Sequence, residues 1–245
     1  MEKVGNTPRD GIAGGAAAVA IAPQVALFPS DRTLSLAIAE LTPAEVHRVL
    51  LEGAIVIDGR PAEQHDERHV AGAVSIPLGG GPFAVRARTA VDPHARIVAV
   101  AGSDLEAHAI AHSLHRAGFR NVLGILMGGV EAYAAAGFEV ASQRSVPVER
   151  VVEDLELGGA VLVDVRDDDD WVRGHVPGSL HIPLRSVVAA SALLPRTPIL
   201  VACADGSRAA TAASMLRRAG HANIWRVAGA GVPYLLSRRL TLGGI

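Results

Sequence analysis

The sequence predicts an α/β fold in which one domain-sized unit occurs twice. The first observation is an internal repeat, because residues 55–60 match residues 161–166, and residues 68–78 match residues 174–184. The longer match has six identical positions of eleven, and both matches share an offset of 106 residues. The second observation is that buried apolar runs alternate with helix-like segments. We therefore predict two tandem domains, each a parallel sheet of about five strands flanked by helices.

Start and stop signals mark the elements of each unit. Thr-Pro-Ala-Glu at residues 42–45 is a capping box with proline at the first helical position, and it predicts the start of a helix. The apolar runs at residues 97–101 and 199–203 predict buried strands. Each run feeds an alanine-rich segment that ends at a glycine, Gly118 or Gly220, which predicts a long helix.

The repeat also predicts the domain boundaries. We expect domain 1 at residues 41–141 and domain 2 at residues 146–240, joined by a short polar linker. Residues 1–35 are predicted to be a flexible or loosely packed lead-in segment. A weak export signal is the alternative for this segment, although acidic residues and paired glycines interrupt its apolar run.

Composition narrows the function classes. The 245 residues carry a net charge of −2, which gives no reason to expect nucleic acid or an anionic membrane as a partner. No apolar run is long enough to cross a bilayer, and no motif has the spacing of a metal site, so we expect no metal and no cofactor. The single cysteine excludes an intramolecular disulfide and fits a reducing compartment, so we predict a cytoplasmic protein.

That cysteine, Cys203, lies where a strand meets a helix. The polar loop at residues 204–208 separates the strand from the alanine-rich segment, so loop amides and a helix N-terminus should face the thiol. Gly206 permits a positive φ, and Arg208 adds a permanent cation. We therefore predict a lowered pKa for Cys203 and a role as nucleophile. The alternative is a small buried hydrophobic residue.

Three motifs resemble the signatures of the rhodanese family. They are Asp164-Val165-Arg166, then Gly-His-Val-Pro-Gly-Ser-Leu-His-Ile-Pro at residues 174–183, then Cys-Ala-Asp-Gly-Ser-Arg at residues 203–208. Their order and spacing agree with the family, and the resemblance extends over nearly all of the chain from Leu41 onward. The tandem is also similar to the double rhodanese half of metallo-β-lactamase/rhodanese fusion proteins, without the metal-binding half.

The resemblance implies a sulfurtransferase. A Cys203 thiolate would take the sulfane sulfur of thiosulfate or of a low-molecular-weight persulfide, and the resulting Cys203 persulfide would pass it to cyanide or to a thiol. A protein could also be the acceptor. The implied site has Cys203 as the catalytic residue and a persulfide-binding loop consisting of Ala204, Asp205, Gly206, Ser207 and Arg208. Arg166 is a further candidate for contact with the substrate.

The first unit lacks these features. Ala101 occupies the position of Cys203, and Glu106 occupies the position of Arg208. Without a thiol or a cation, domain 1 is predicted to be inactive and to serve as a structural or docking partner.

Two other functions stay open. In the first, the chain is a non-catalytic sulfur carrier or docking module that presents a Cys203 persulfide to a partner protein. In the second, it is a phosphatase or arsenate reductase, which would need the arginine six positions after the cysteine. Arg208 comes five positions after Cys203, so the loop suits one sulfur atom better than a phosphate.

Other polar residues are predicted to be structural. His69 and His175 recur in both units, one of which lacks a nucleophile, so we expect each to make a hydrogen bond that fixes a turn. The Asp-x-Arg pairs at residues 58–60 and 164–166 are expected to form scaffold ion pairs. Asp205 should raise the thiol pKa and repel anionic donors unless it points outward. The acidic run at residues 167–170 is expected to be a solvated face, with a helix cap as the alternative.

Overall fold

The computed structural model describes residues 37–156, 159–229 and 231–238. The predicted lead-in at residues 1–35 lies outside the described residues. The first half contains the strands β1 (Glu40–Leu41), β2 (Ile55–Asp58), β3 (His69–Val70), β4 (Val74–Ser75), β5 (Arg96–Val100), β6 (Asn121–Leu126) and β7 (Val140–Ala141). Its helices are α1 (Pro43–Leu51), α2 (Ala62–Glu67), α3 (Phe83–Ala90), α4 (Asp104–Arg116) and α5 (Gly129–Ala135).

The second half repeats this arrangement. Its strands are β8 (Ser145–Pro147), β9 (Val161–Asp164), β10 (Leu180–His181), β11 (Ile199–Ala202) and β12 (Ile224–Ala228). Its helices are α6 (Val148–Glu156), α7 (Asp168–Arg173), α8 (Val187–Ala190), α9 (Ser207–Arg218) and α10 (Gly231–Ser237). Two short 3₁₀ turns, Leu184–Ser186 and Ser191–Leu193, flank α8.

Each half contains one five-stranded parallel sheet. The strand order is β1-β6-β5-β2-β4 in the first sheet and β8-β12-β11-β9-β10 in the second, which is the same topology. The short strands β3 and β7 form a separate antiparallel pair. The predicted α/β class and the two five-stranded parallel sheets flanked by helices are therefore confirmed.

The centre of each sheet is buried because helices cover both of its faces. Every residue of β11 is at most 1 % exposed. The predicted capping box is present, since the Thr42 side chain accepts from the Glu45 amide at 3.4 Å and the Glu45 carboxylate accepts from the Thr42 amide at 2.8 Å. Within the described ranges, no helix is long and apolar enough to cross a membrane.

Helix α9 lies between the two halves. Nine of its twelve residues are buried, although a helix that covers only its own sheet would expose one face to solvent. The Ser214 hydroxyl accepts a hydrogen bond from the Ser75 amide of β4 at 3.0 Å, and the Arg218 guanidinium donates to the Gly72 carbonyl at 2.6 Å. The alanines of α9 allow this close packing on both sides. The first half therefore covers the helix that begins beside Cys203.

The predicted scaffold pairs form in both halves. The Arg60 guanidinium donates to Asp58, and the Arg166 guanidinium donates to Asp164, with closest distances of 2.6 and 2.7 Å. All four residues are at most 8 % exposed. A buried carboxylate normally resists ionisation, but hydrogen bonds from His65 and Arg60 outweigh burial and lower the pKa of Asp58 to about 2.

The repeated histidines also bond to carbonyl groups, as expected. The Nδ1 atom of His69 lies 2.6 Å from the carbonyl oxygen of His65, and that of His175 lies 3.2 Å from the carbonyl oxygen of Trp171. Each histidine ring also stacks on the side chain four residues before it, at a centroid distance of 3.8 Å. Each pair ties the end of α2 or α7 to the chain that follows.

Candidate active site

The thiol of Cys203 lies directly after β11 and before α9. Gly206 is the N-cap residue of α9 and has φ +87°, a conformation that favours glycine. This tight turn brings the first amides of the helix back toward the strand end. Cys203 itself is 0 % exposed.

Two backbone amides converge on the sulfur atom. The Gly206 N–H donates to Cys203 Sγ at 3.1 Å, and the Ala209 N–H donates to it at 3.3 Å. The first amides of a helix have no partner within the helix, so they are free to bind a sulfur anion. The sequence prediction included Gly206 but missed Ala209. Counting three residues into the predicted helix would have identified it.

Other predicted loop residues have different partners. Among the described residues, the amides of Ala204 and Arg208 make no hydrogen bond to the sulfur. The amide and hydroxyl of Ser207 donate to Asp205 Oδ1 at 3.0 and 2.7 Å. Asp205 is exposed, yet its Oδ1 atom accepts from the Cys203 thiol at 3.6 Å. The thiol is therefore held between two N–H donors and one carboxylate acceptor.

The expectation of a lowered thiol pKa is wrong in this structure. Burial raises the pKa of Cys203, against backbone hydrogen bonds to the sulfur, chiefly from Ala209, which lower it. The Asp205 carboxylate raises this pKa further, as predicted, and Arg208 lowers it. The local sequence predicts the amides, but the burial that raises this pKa depends on how the rest of the chain packs around the loop.

Arg208 is engaged by the acidic run. Its guanidinium donates to Asp167 Oδ2 at 2.9 Å and to Asp170 Oδ2 at 3.1 Å. Asp168, in the same run, accepts from Arg185 at 2.5 Å. Asp167, Asp168 and Asp169 are exposed, as expected of a solvated face. The pairs with Arg185 and Arg208 were not predicted, and those with Arg208 weaken the effect of the cation that the sequence places beside the thiol.

Arg166 is committed to the scaffold. Its guanidinium makes several hydrogen bonds to Asp164 and one to the Gly174 carbonyl at 2.7 Å. The side chain is almost entirely buried. This arrangement orients the loop that follows β9 and leaves few donors for a substrate.

The matching position in the first half has no reactive group. Ala101 follows β5 and is 5 % exposed. Ser103 is the N-cap residue of α4, and its hydroxyl accepts from the Glu106 amide at 3.3 Å. A methyl group and an acidic helix start replace the thiol and the arginine, which supports the prediction that this half is inactive.

A cavity of about 390 Å³ lies against the loop that follows Cys203. Both halves line it, with residues 59–63, 77–80 and Glu106 from the first half and residues 205–207 and Arg226 from the second. Its charged side chains are three carboxylates, Glu63, Glu106 and Asp205, and two arginines, Arg60 and Arg226, each of which is paired with a buried aspartate. A small molecule can therefore reach residues 205–207 through this cavity, whose entrance is acidic.

Sequence comparisons with known proteins indicate the family of the chain. The family model described as "Rhodanese-like domain" matches residues 42–136 and again residues 148–231. A curated relative, the thiosulfate sulfurtransferase GlpE of Pseudomonas putida, is 33 % identical over 88 residues, which cover 35 % of this chain and 79 % of that protein. GlpE of Pseudomonas aeruginosa is also 33 % identical, over 90 residues.

Solved structures show weaker similarity. The 3-mercaptopyruvate sulfotransferase SseA from Escherichia coli is 17 % identical, with a TM-score of 0.37, over 79 % of this chain and 99 % of that one. A thiosulfate sulfurtransferase from Pseudomonas aeruginosa is 22 % identical, with a TM-score of 0.38, over 84 % of this chain and 44 % of that one. The assignment therefore rests on the double match of the family model: the chain belongs to the rhodanese-like family, with two such domains in tandem.

Proposed function

We propose that the chain is a sulfurtransferase that carries sulfane sulfur on Cys203, with one active site in the second domain. The observation that supports this most directly is the convergence of the Gly206 and Ala209 amides on the one thiol of the chain. Converging amides stabilise negative charge, and the sulfur is an anion when it attacks the donor and again when it carries the added sulfur.

The transfer has two steps. In the first, the Cys203 thiolate attacks the outer sulfur of thiosulfate, the bond between the two donor sulfurs breaks, and sulfite leaves with the electron pair. Cys203 then carries one additional sulfur as a persulfide anion. In the second, cyanide attacks that terminal sulfur, thiocyanate leaves, and the thiolate is restored. A low-molecular-weight persulfide and a thiol would serve as donor and acceptor in the same way.

The loop residues have distinct proposed roles. The amides of Gly206 and Ala209 hold the sulfur anion, while Ser207 fixes Asp205 beside it. Asp205 accepts the thiol proton's hydrogen bond and keeps the resting sulfur protonated. Ala204 shapes the turn. Arg208 retains an electrostatic role that Asp167 and Asp170 weaken.

The loading step tests this proposal. After incubation with thiosulfate, the intact protein should gain the mass of one sulfur atom, and the gain should disappear on treatment with a reductant or with cyanide. The Cys203→Ser variant should gain no mass. An unmodified wild-type protein after exposure to both thiosulfate and a low-molecular-weight persulfide would contradict the proposal.

The carrier alternative is favoured by one observation, the acidic entrance, which discourages repeated entry of anionic donors. A carrier would take up one sulfur atom on Cys203 and release it only to a protein acceptor. Turnover of many thiosulfate molecules per protein would exclude that alternative.

We also propose that the protein works in the cytoplasm, because a free thiol needs a reducing environment.

We expect Asp205→Asn to favour thiosulfate as a donor. Removing the carboxylate removes one cause of the raised thiol pKa and one repulsion of the dianion, so the second-order rate constant with thiosulfate should rise about fivefold, near 1 kcal/mol. Asp169→Asn is the matched control, because it removes the same charge from an exposed position. Initial rates of thiocyanate formation give the comparison. Equal rates for both variants and the wild type would show that Asp205 does not set donor preference.

A further inference from the structure

Arg86, on helix α3 of the first half, is a buried cation with free donors. The residue is 5 % exposed. Its Nη2 atom donates to the carbonyls of Pro77 and Gly79, at 2.5 and 2.7 Å, and more weakly to that of Gly81. Its Nε and Nη1 atoms are buried and have no hydrogen-bond partner among the described residues. A guanidinium therefore sits in the interior with only carbonyl partners.

Such an arrangement is costly unless an anion completes it. An unpaired buried charge is strongly unfavourable, and buried donors without acceptors add to its cost. Burial lowers the pKa of Arg86, but an arginine this basic still carries its proton at neutral pH. The side chain must therefore gain from a negative charge nearby.

The nearby negative charges belong to the cysteine loop of the second half. The Asp205 carboxylate and the Cys203 sulfur both raise the pKa of Arg86, against the effect of burial. Contacts agree with this proximity. The loop whose carbonyls Arg86 binds packs on the site, since a Cβ on Gly80 would collide with the Ser207 side chain and lie 3.3 Å from Asp205 Oδ2.

Helix α3 itself packs against the same region. Phe83 and Ala87, which flank Arg86 on one face of α3, belong to the same core cluster as Cys203 and Ala209. The first half thus places a buried cation beside the cysteine loop. Arg208, which is half-buried at the start of α9, is already paired with two carboxylates.

We infer that Arg86 is a second electrostatic partner of the anionic Cys203 sulfur, beside Arg208, and that the first half supplies it to the active site of the second. This inference rests on the proposed sulfur transfer and specifies what the inactive domain contributes. Arg86 favours the thiolate over the thiol and then the persulfide anion over its protonated form. It acts as a positioning residue through charge. Asp205 opposes its effect on the sulfur, and Arg208 adds to it, although Asp167 and Asp170 weaken the contribution of Arg208.

The test measures the thiolate directly. The chain has one cysteine, so its ultraviolet thiolate absorbance, corrected with the Cys203→Ser variant, gives the ionisation of that group alone. We expect Arg86→Gln to raise the midpoint by about one pH unit, which lowers the thiolate fraction about tenfold at pH values below the midpoint. Arg86→Lys keeps the positive charge, so its thiolate midpoint should lie close to that of the wild type. Arg88→Gln, on the exposed face of the same helix, is the control.

Each outcome has a defined meaning. An unchanged midpoint in a folded Arg86→Gln variant would overturn the inference, because Arg86 would then only hold the loop at residues 77–81. If glutamine prevents folding, Arg86→Met gives the same comparison without a buried polar group. The titration needs no turnover. If the wild type never gains a sulfur atom but Arg86→Gln still raises the thiolate midpoint, the proposed function is refuted and the charge pairing stands.

Discussion

Replacing Cys203 with serine should reduce thiocyanate formation from thiosulfate and cyanide to the uncatalysed level, while both sheets stay folded. No other sulfur nucleophile of this type exists in the chain, and a hydroxyl cannot hold sulfane sulfur as a persulfide. Serine suits the site because it can accept from the Gly206 and Ala209 amides and donate to Asp205. Loss of activity would then report chemistry alone.

The experiment compares thiocyanate production, thermal unfolding and far-ultraviolet circular dichroism of the two proteins. We expect a loss of at least about a thousandfold in turnover, the scale seen when a covalent nucleophile is removed, with a melting temperature within a few degrees of the wild type. Ser207→Ala is a useful companion, since it leaves the sulfur in place and removes only the hydroxyl that fixes Asp205. Full turnover by the serine variant would eliminate the persulfide mechanism.

The sequence was sufficient for the features that local chemistry determines. The repeat, the buried strands and the capping box at Thr42 each depend on neighbouring residues, and the structure contains them. The position of Cys203 between strand and helix follows from the same signals. Gly206 could be recognised because a tight turn before a helix needs a positive φ.

The features that the sequence did not predict depend on distant parts of the chain. Arg208 pairs with carboxylates 38 and 41 positions earlier, so its neutralisation is not visible in the loop itself. The raised pKa of Cys203 comes from burial, and the first half packs against the start of α9, where Gly80 lies against Ser207. Arg86 lies in a segment that resembles no motif. Its unpartnered donors become meaningful only when the two halves are packed together.

The contact between the halves can be tested by substituting Arg226 and measuring the free energy of unfolding. Arg226 of β12 is 1 % exposed, and it donates to Asp66 Oδ2 at 2.7 Å and to Glu63 Oε1 at 3.1 Å, both on α2 of the first half. We expect Arg226→Met to lower the free energy of unfolding in urea by about 3–5 kcal/mol, because it leaves the Asp66 carboxylate buried without its cation. Arg96→Met, which breaks an exposed pair with Glu52, should cost no more than about 1 kcal/mol.

The sign of the pH dependence distinguishes the loss of the Arg226–Asp66 ion pair from a simple packing defect. Burial already raises the pKa of Asp66 above its usual value even with Arg226 present, so without that arginine the carboxyl should favour its neutral form still more. The stability deficit should therefore be largest at neutral pH and shrink as the pH falls through the raised pKa of Asp66. Adding Asp66→Leu to Arg226→Met should recover much of the loss at neutral pH.

Arg226 also connects this interface to the chemistry. Its Nη1 atom lies 3.1 Å from the position that a Cβ on Gly206 would occupy, so the arginine supports the turn whose amide contacts the sulfur. A folded Arg226→Met protein should consequently transfer sulfur more slowly, and the double variant should regain stability without regaining the full rate. A deficit independent of pH, or a double variant no more stable than Arg226→Met, would show that the buried ion pair does not hold the halves together.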